Sequence, residues 1–191
     1  MALEQIGMIC VSFGKTSYMK KILFLVSFLA FLGSAMAQKT DQKISDKVKV
    51  SFPNKPEEEK LPTGGTAFVC KTDSNSSCFA MSMDLSPMGL SAEVITAAGD
   101  ALWEQLKGGL VAQMGGATIA KDQVLPFKGK NALYLEIDGS KSSAPLLKGK
   151  KAYGYTFFIG AVLHQVMYYS LPSEALPEAG KTFFESTVIE N

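Results

Sequence analysis

Apolar and polar residues alternate with two different periods along this chain, and the switch between them marks out its elements. Val48, Val50 and Phe52 alternate with Lys47, Lys49 and Ser51, a short strand that Pro53 stops. Residues 66–71 and 77–85 read as two further strands, and Thr72-Asp73-Ser74-Asn75-Ser76 between them is turn chemistry. From Ser91, a favoured N-cap, the period becomes helical: Ile95, Ala98, Leu102, Leu106 and Leu110 share one face. Glu93, Asp100, Glu104 and Lys107 fall on the opposite face, Trp103 sits at the edge of the stripe, and Gly115-Gly116 ends the helix. Residues 118–127 form the next strand, with pairing expected to weaken at Pro126. In 131–138, Leu133, Leu135 and Ile137 point one way, and Tyr134, Glu136 and Asp138 the other. Residues 139–150 read as a loop. Strands 151–159 and 162–170 then flank Gly160-Ala161, a two-residue turn with glycine first. Residues 173–185 predict a closing helix that Gly180 weakens.

The order is therefore β-β-β-α-β-β-β-β-α, with strands joined by hairpins. The fold class is α+β: a largely antiparallel sheet of about six or seven strands with helices packed on it. Strands 151–159 and 162–170 are apolar on both sides in places, so both faces of the sheet are expected to be covered.

The amino-terminal segment follows another logic. Lys20-Lys21 precede an apolar run from Ile22 to Leu32 broken only by Ser27, and Ala35-Met36-Ala37 follows. That is a secretory signal peptide of bacterial type, cleaved between Ala37 and Gln38. Ile22 to Ala37 is 16 residues, short of the roughly 20 that span a bilayer, so no stable membrane span is expected after processing. Position 38 is Gln, not the Cys of a lipid-anchored protein. Residues 1–37 are thus the leader, with 1–18 an over-extended start ahead of Met19. Residues 38–46 are a flexible amino-terminal segment, and 47–191 a single α+β domain. The expected location is the periplasm or the extracellular space.

Composition narrows the chemistry. Without its leader the chain carries 16 Lys and 17 acidic residues, which gives no electrostatic footprint for nucleic acid. No Arg occurs anywhere, so the usual bidentate clamp for phosphate is missing. Cys70 and Cys78 remain after processing. A hairpin symmetric about Ser74 sets them directly opposite each other, and an oxidising compartment favours a Cys70–Cys78 disulfide. His164 is the only histidine. It pairs with Phe157 on the strand face that carries Tyr153, Tyr155 and Tyr168, where a core position is expected. If a ligand groove exists, Tyr153, Tyr155, His164 and Tyr168 are the residues expected to line it. No Gly-x-Ser-x-Gly elbow occurs, and one His with two paired Cys cannot supply a zinc site. Glu136 and Asp138 are two carboxylates on one strand face, the residue types of glycoside hydrolysis, although a solvated strand end accounts for them. Glu57-Glu58-Glu59 reads as a solvated linker. No metal and no cofactor are expected.

Three stretches resemble a known family. Ser51-Phe52-Pro53-Asn54-Lys55-Pro56 is similar to the first strand of PsbP-like domains, which include the extrinsic PsbP protein of photosystem II and bacterial DcrB-like domains of unknown function. Phe127-Lys128-Gly129-Lys130-Asn131-Ala132 resembles their mid-domain hairpin. Phe183-Phe184-Glu185-Ser186 resembles their closing segment, although Thr187 stands where an aromatic is usual. The element order agrees over residues 47–190. The resemblance implies an antiparallel sheet between helices and carries over no catalytic residue. The expectation is an exported, non-catalytic accessory or binding domain for an envelope protein. The alternatives are a small-ligand binder using the aromatic hairpin 151–170, and a hydrolase built on His164 or on Glu136 and Asp138.

Overall fold

Ten strands and three α-helices account for residues 39–62 and 64–190, which the computed structural model describes. The leader, the start ahead of Met19 and the Ala37–Gln38 cleavage point lie outside the described residues.

Seven strands form the main antiparallel sheet. They are β3 (Glu57–Lys60), β4 (Thr66–Lys71), β5 (Ser77–Asp84), β6 (Thr118–Phe127), β7 (Lys130–Asp138), β8 (Lys151–Ile159) and β9 (Val162–Ser170). Their order across the sheet is β3-β4-β5-β9-β8-β7-β6, so β9 and β8 sit near its middle. The β6–β7 turn places Lys128 and Gly129 at positive φ, 51° and 79°, the twist that a two-residue hairpin requires. β1 (Thr40–Lys43), β2 (Val48–Phe52) and β10 (Val188–Ile189) form a second, three-stranded sheet in the order β1-β2-β10.

Successive side chains of a strand point to opposite faces, and each face of the main sheet meets its own cover. On the first, Tyr153, Phe157, Val166 and Tyr168 join Val48, Val50 and Phe52 of the small sheet and Phe183 and Phe184 of α3 (Glu178–Glu185) in one apolar core. The Phe52 and Phe183 rings lie 5.3 Å apart. On the second face, Leu133, Leu135, Ile137, Ala152 and Met167 form a smaller core. Trp103 and Leu110 of α2 (Asp100–Gln113) pack against it, and α1 (Ala92–Ala98) precedes α2; the two helices bury Ile95 and Leu102.

The α+β class and the antiparallel sheet agree with the sequence expectation, and several details correct it. The segment 38–46 is not featureless: it holds β1, paired along β2 from Thr40 to Lys43, and buries Ile44. The acidic run is not a linker but edge strand β3, wholly exposed, and its charges blunt a free sheet edge. Pairing of β6 continues through Pro126 to Phe127. The long helix is two helices broken at Gly99, whose φ of +53° and ψ of −131° no helix contains. The last helix begins only at Glu178.

Candidate functional site

The aromatic face, expected to be core and to line a groove only if one existed, is filled by the protein itself. Tyr153 is fully buried, and its hydroxyl lies 3.0 Å from Ser173 Oγ and 3.2 Å from the Ala175 carbonyl that it donates to. Tyr155 stacks on Phe127 at 4.1 Å and meets the Phe184 ring edge-on at 5.1 Å. Tyr168 is buried in the same core. Helix α3 and the small sheet occupy the space that a ligand would need.

His164 borders a cavity all the same. It pairs with Phe157 across the β8–β9 hairpin, as the Gly160-Ala161 turn demands, and the two rings stack at 5.2 Å. Its Nε2 lies 2.8 Å from Ser45 Oγ in the β1–β2 turn, 119 residues away. Ser45, Asp46, Lys47, Gly160 and His164 edge a space of about 320 Å³. Serine, histidine and carboxylate thus come together, but not in catalytic order. The imidazole is 1% exposed, and burial pushes its pKa down to about 4, against a weaker opposing pull from the Val162 backbone. A base that weak abstracts protons poorly near neutrality. Among the described residues Nδ1 has no side-chain partner, so none of their carboxylates orients the ring. Ser45 Oγ instead accepts the Lys47 backbone N–H at 3.3 Å. The pair pins the β1–β2 turn to the sheet.

The two carboxylates of β7 are engaged structurally. Glu136 pairs with Lys151 at 3.1 Å and accepts from the Tyr134 hydroxyl at 3.3 Å. Asp138 caps the following turn by accepting the Ser140 N–H at 2.8 Å, which holds its pKa below the usual carboxylate range.

Cys70 and Cys78 are register partners, directly opposed as the symmetric hairpin predicts, and both are buried. In this structure both are free thiols. The Thr72 N–H to Ser76 carbonyl bond of 3.0 Å, two residues along the ladder, makes Cys70–Cys78 a hydrogen-bonded pair. Such pairs hold their Cα atoms at about 5.5 Å rather than 4.5 Å. The Cys70 thiol turns instead to the Asn54 carbonyl, 3.5 Å away. Burial pushes both thiol pKa values up, Cys78 the more strongly.

A further apolar groove lies on the other face of the sheet. Helix α2 is anchored over β6 and β8, where Lys107 pairs with Asp122 at 2.6 Å and Trp103 packs on Phe158 at 5.6 Å. Toward β5 and β9 a groove of about 310 Å³ remains between helix and sheet. Met81, Met83 and Leu163 wall it from the sheet, and Leu102, Leu106 and Leu110 from the helix. Gly109 also lines it, and a Cβ placed there would meet nothing within 4 Å. Thr156 and Gln165, a cross-strand pair, lie in its lining. Sequence reasoning did not find this site. Two signals were present: Gly108-Gly109 inside a helical stripe, and two polar residues facing each other in apolar strands.

Among the described residues no cluster of His, Cys, Asp and Glu could hold a metal ion, and no helix is long and apolar enough to cross a membrane.

No family model matches the chain, and no curated protein matches it. Solved structures do. The solution structure of cyanobacterial PsbP (CyanoP) from Synechocystis sp. PCC 6803 is 12% identical, with a TM-score of 0.52 over 82% of this chain and 95% of that one. A protein of unknown function from Pseudomonas aeruginosa is 10% identical, with a TM-score of 0.39 over 70% and 83% of the two chains. A protein from Bacteroides thetaiotaomicron is 9% identical, with a TM-score of 0.43 over 82% of this chain and 49% of that one. At such identities the likeness is one of fold.

Proposed function

We propose that this chain, whose fold is PsbP-like, is an exported, non-catalytic binding domain that takes a small apolar ligand in the groove between α2 and the sheet. The observation that supports it is the groove itself. Its volume of about 310 Å³ reaches the lower end of the range of small-molecule sites, which pair apolar walls with a few polar groups. Met81 and Met83 supply adaptable, polarisable wall. Export is supported by the leader sequence. It carries the domain to an oxidising compartment, where the register of Cys70 and Cys78 lets them close a disulfide.

The neutral fluorescent probe N-phenylnaphthylamine tests the site. It should bind saturably, one per chain. Gly109→Phe sends a ring from α2 into open space and should abolish that binding with the fold intact. No saturable binding, or binding that Gly109→Phe leaves unchanged, would contradict the proposal.

A hydrolase is favoured by one observation, the 2.8 Å approach of Ser45 to His164. The low basicity and the unoriented Nδ1 of His164 count against it. A fluorophosphonate probe should leave Ser45 unlabelled in the folded protein, and stoichiometric labelling at Ser45 would reverse that assignment.

A further inference from the structure

The polar groups that line the groove are Gln105 and Gln113 on α2 and, on the sheet, Thr156 and Gln165. Thr156 and Gln165 stand side by side on the two central strands, 2% and 8% exposed. Gln165 Nε2 donates to Thr156 Oγ1 at 3.2 Å. That bond uses one hydrogen of the amide and one lone pair of the hydroxyl. It leaves over the Gln165 carbonyl oxygen and a second Thr156 lone pair as acceptors, and the second amide N–H and the Thr156 hydroxyl hydrogen as donors. If the amide were turned round, both amide N–H donors and the Thr156 lone pairs would remain, so donors and acceptors are left over in either orientation. A ligand that covers these groups loses free energy unless it hydrogen-bonds to them.

The second feature is charge. None of the residues lining the groove is Lys, His, Asp or Glu. An ionised carboxylate or ammonium carried inside would be desolvated without a counter-charge, which is strongly unfavourable. A hydroxyl group avoids that cost, and it both donates and accepts, the complement of what the Thr156–Gln165 pair leaves over.

We infer that the ligand is a neutral amphiphile, an apolar chain or ring bearing one hydroxyl, whose hydroxyl bonds to Gln165 and Thr156 while its apolar part lies along Met81, Met83 and the leucines of α2. This inference rests on the groove being the ligand site. Fatty acids and fatty amines of the same length are the ligands that the groove rejects.

Displacement of bound N-phenylnaphthylamine by 1-decanol, decanoate and decylamine tests it. Near pH 8 the last two are charged. The alcohol should displace the probe at concentrations at least about tenfold below either, given the cost of burying an unpaired charge. Gln165→Leu should erase that advantage while the probe still binds, which shows that the variant is folded. Thr156→Val, which removes the other half of the pair, should do the same. Decanoate or decylamine matching the alcohol would overturn the inference and leave the groove standing as an apolar site. So would an advantage that survives both substitutions. Failure of the probe itself to bind would remove the groove, and the inference with it.

Discussion

His164 shows how one residue can be read correctly and still surprise. Its partner Phe157 and its apolar face followed from the two-residue turn at Gly160-Ala161, because a side-chain period of two fixes which residues meet across the ladder. Its contact with Ser45 was not legible, since it joins two segments 119 residues apart through a turn whose path only tertiary packing sets. Burial of the ring has a pH consequence. The folded-state pKa is about 4 against 6.5 for the free side chain. As pH falls below 6.5 the unfolded chain takes up this proton and the folded chain does not, so stability present above 6.5 is lost progressively toward 4. At about 1.4 kcal/mol per unit, the whole window is worth about 3 kcal/mol. Between about pH 7 and about pH 5, the urea midpoint should fall more in the wild type than in His164→Gln, which cannot titrate. Equal falls would show that His164 is not the group responsible. Gly154 is a second residue-scale case. A Cβ there would press on Met167 Sδ and lie 2.9 Å from the Val166 carbonyl in the middle of the sheet. Gly154→Ala should therefore cost about 1–3 kcal/mol in chemical denaturation, although alanine suits a strand better than glycine.

At the scale of elements, strands with strong alternation and the Gly-marked hairpins were legible, and the short edge elements were not. β1 (TDQK) and β3 (EEEK) carry no apolar period, and become strands because β2 and β4 offer them an open edge. The long helical stripe was legible, but its break at Gly99 was not, because the stripe continues in phase from Ile95 and Ala98 to Leu102 across the kink. Helix α2 also carries Gly108, where a Cβ would meet nothing within 4 Å. Gly108→Ala should raise stability by about 0.5–1 kcal/mol, because alanine leaves less backbone freedom to lose on folding. A thermal midpoint that falls would mean that the helix tightens on the sheet more than its open outer side suggests. In the β4–β5 hairpin the register of Cys70 and Cys78 was legible from the polar turn alone, and the state of the thiols was not. With both thiol pKa values raised by burial, little thiolate exists in the folded state to attack an oxidant. Under the proposed export, closure would belong to folding in the receiving compartment. Denatured protein taken from that compartment should take up no thiol label at these positions, while folded, reduced protein should oxidise slowly in glutathione disulfide. Two free thiols per chain in the exported protein would show that the hairpin stays open.

The whole molecule has a main sheet with unequal covers. One face is closed by the small sheet and α3 with Phe52, Phe183 and Phe184 interlocked. The other is covered by helices that bury Ile95 and Leu102 and leave a groove beside β5 and β9. The sequence reading expected core packing on the aromatic face and made it the place for a groove only if one existed; those aromatics are core. Which face remains open depends on how far α2 stands from the sheet, and no residue pattern encodes that distance. The central claim, a ligand seated in this groove, is tested most directly by methyl NMR of the protein labelled at its methionine methyl groups and titrated with 1-decanol. The Met81 and Met83 methyls wall the groove and should shift together and saturate, while Met167, buried in the core, and Met88, exposed to solvent, should stay in place. Shifts confined to Met88, or spread evenly over all methionines, would contradict the account.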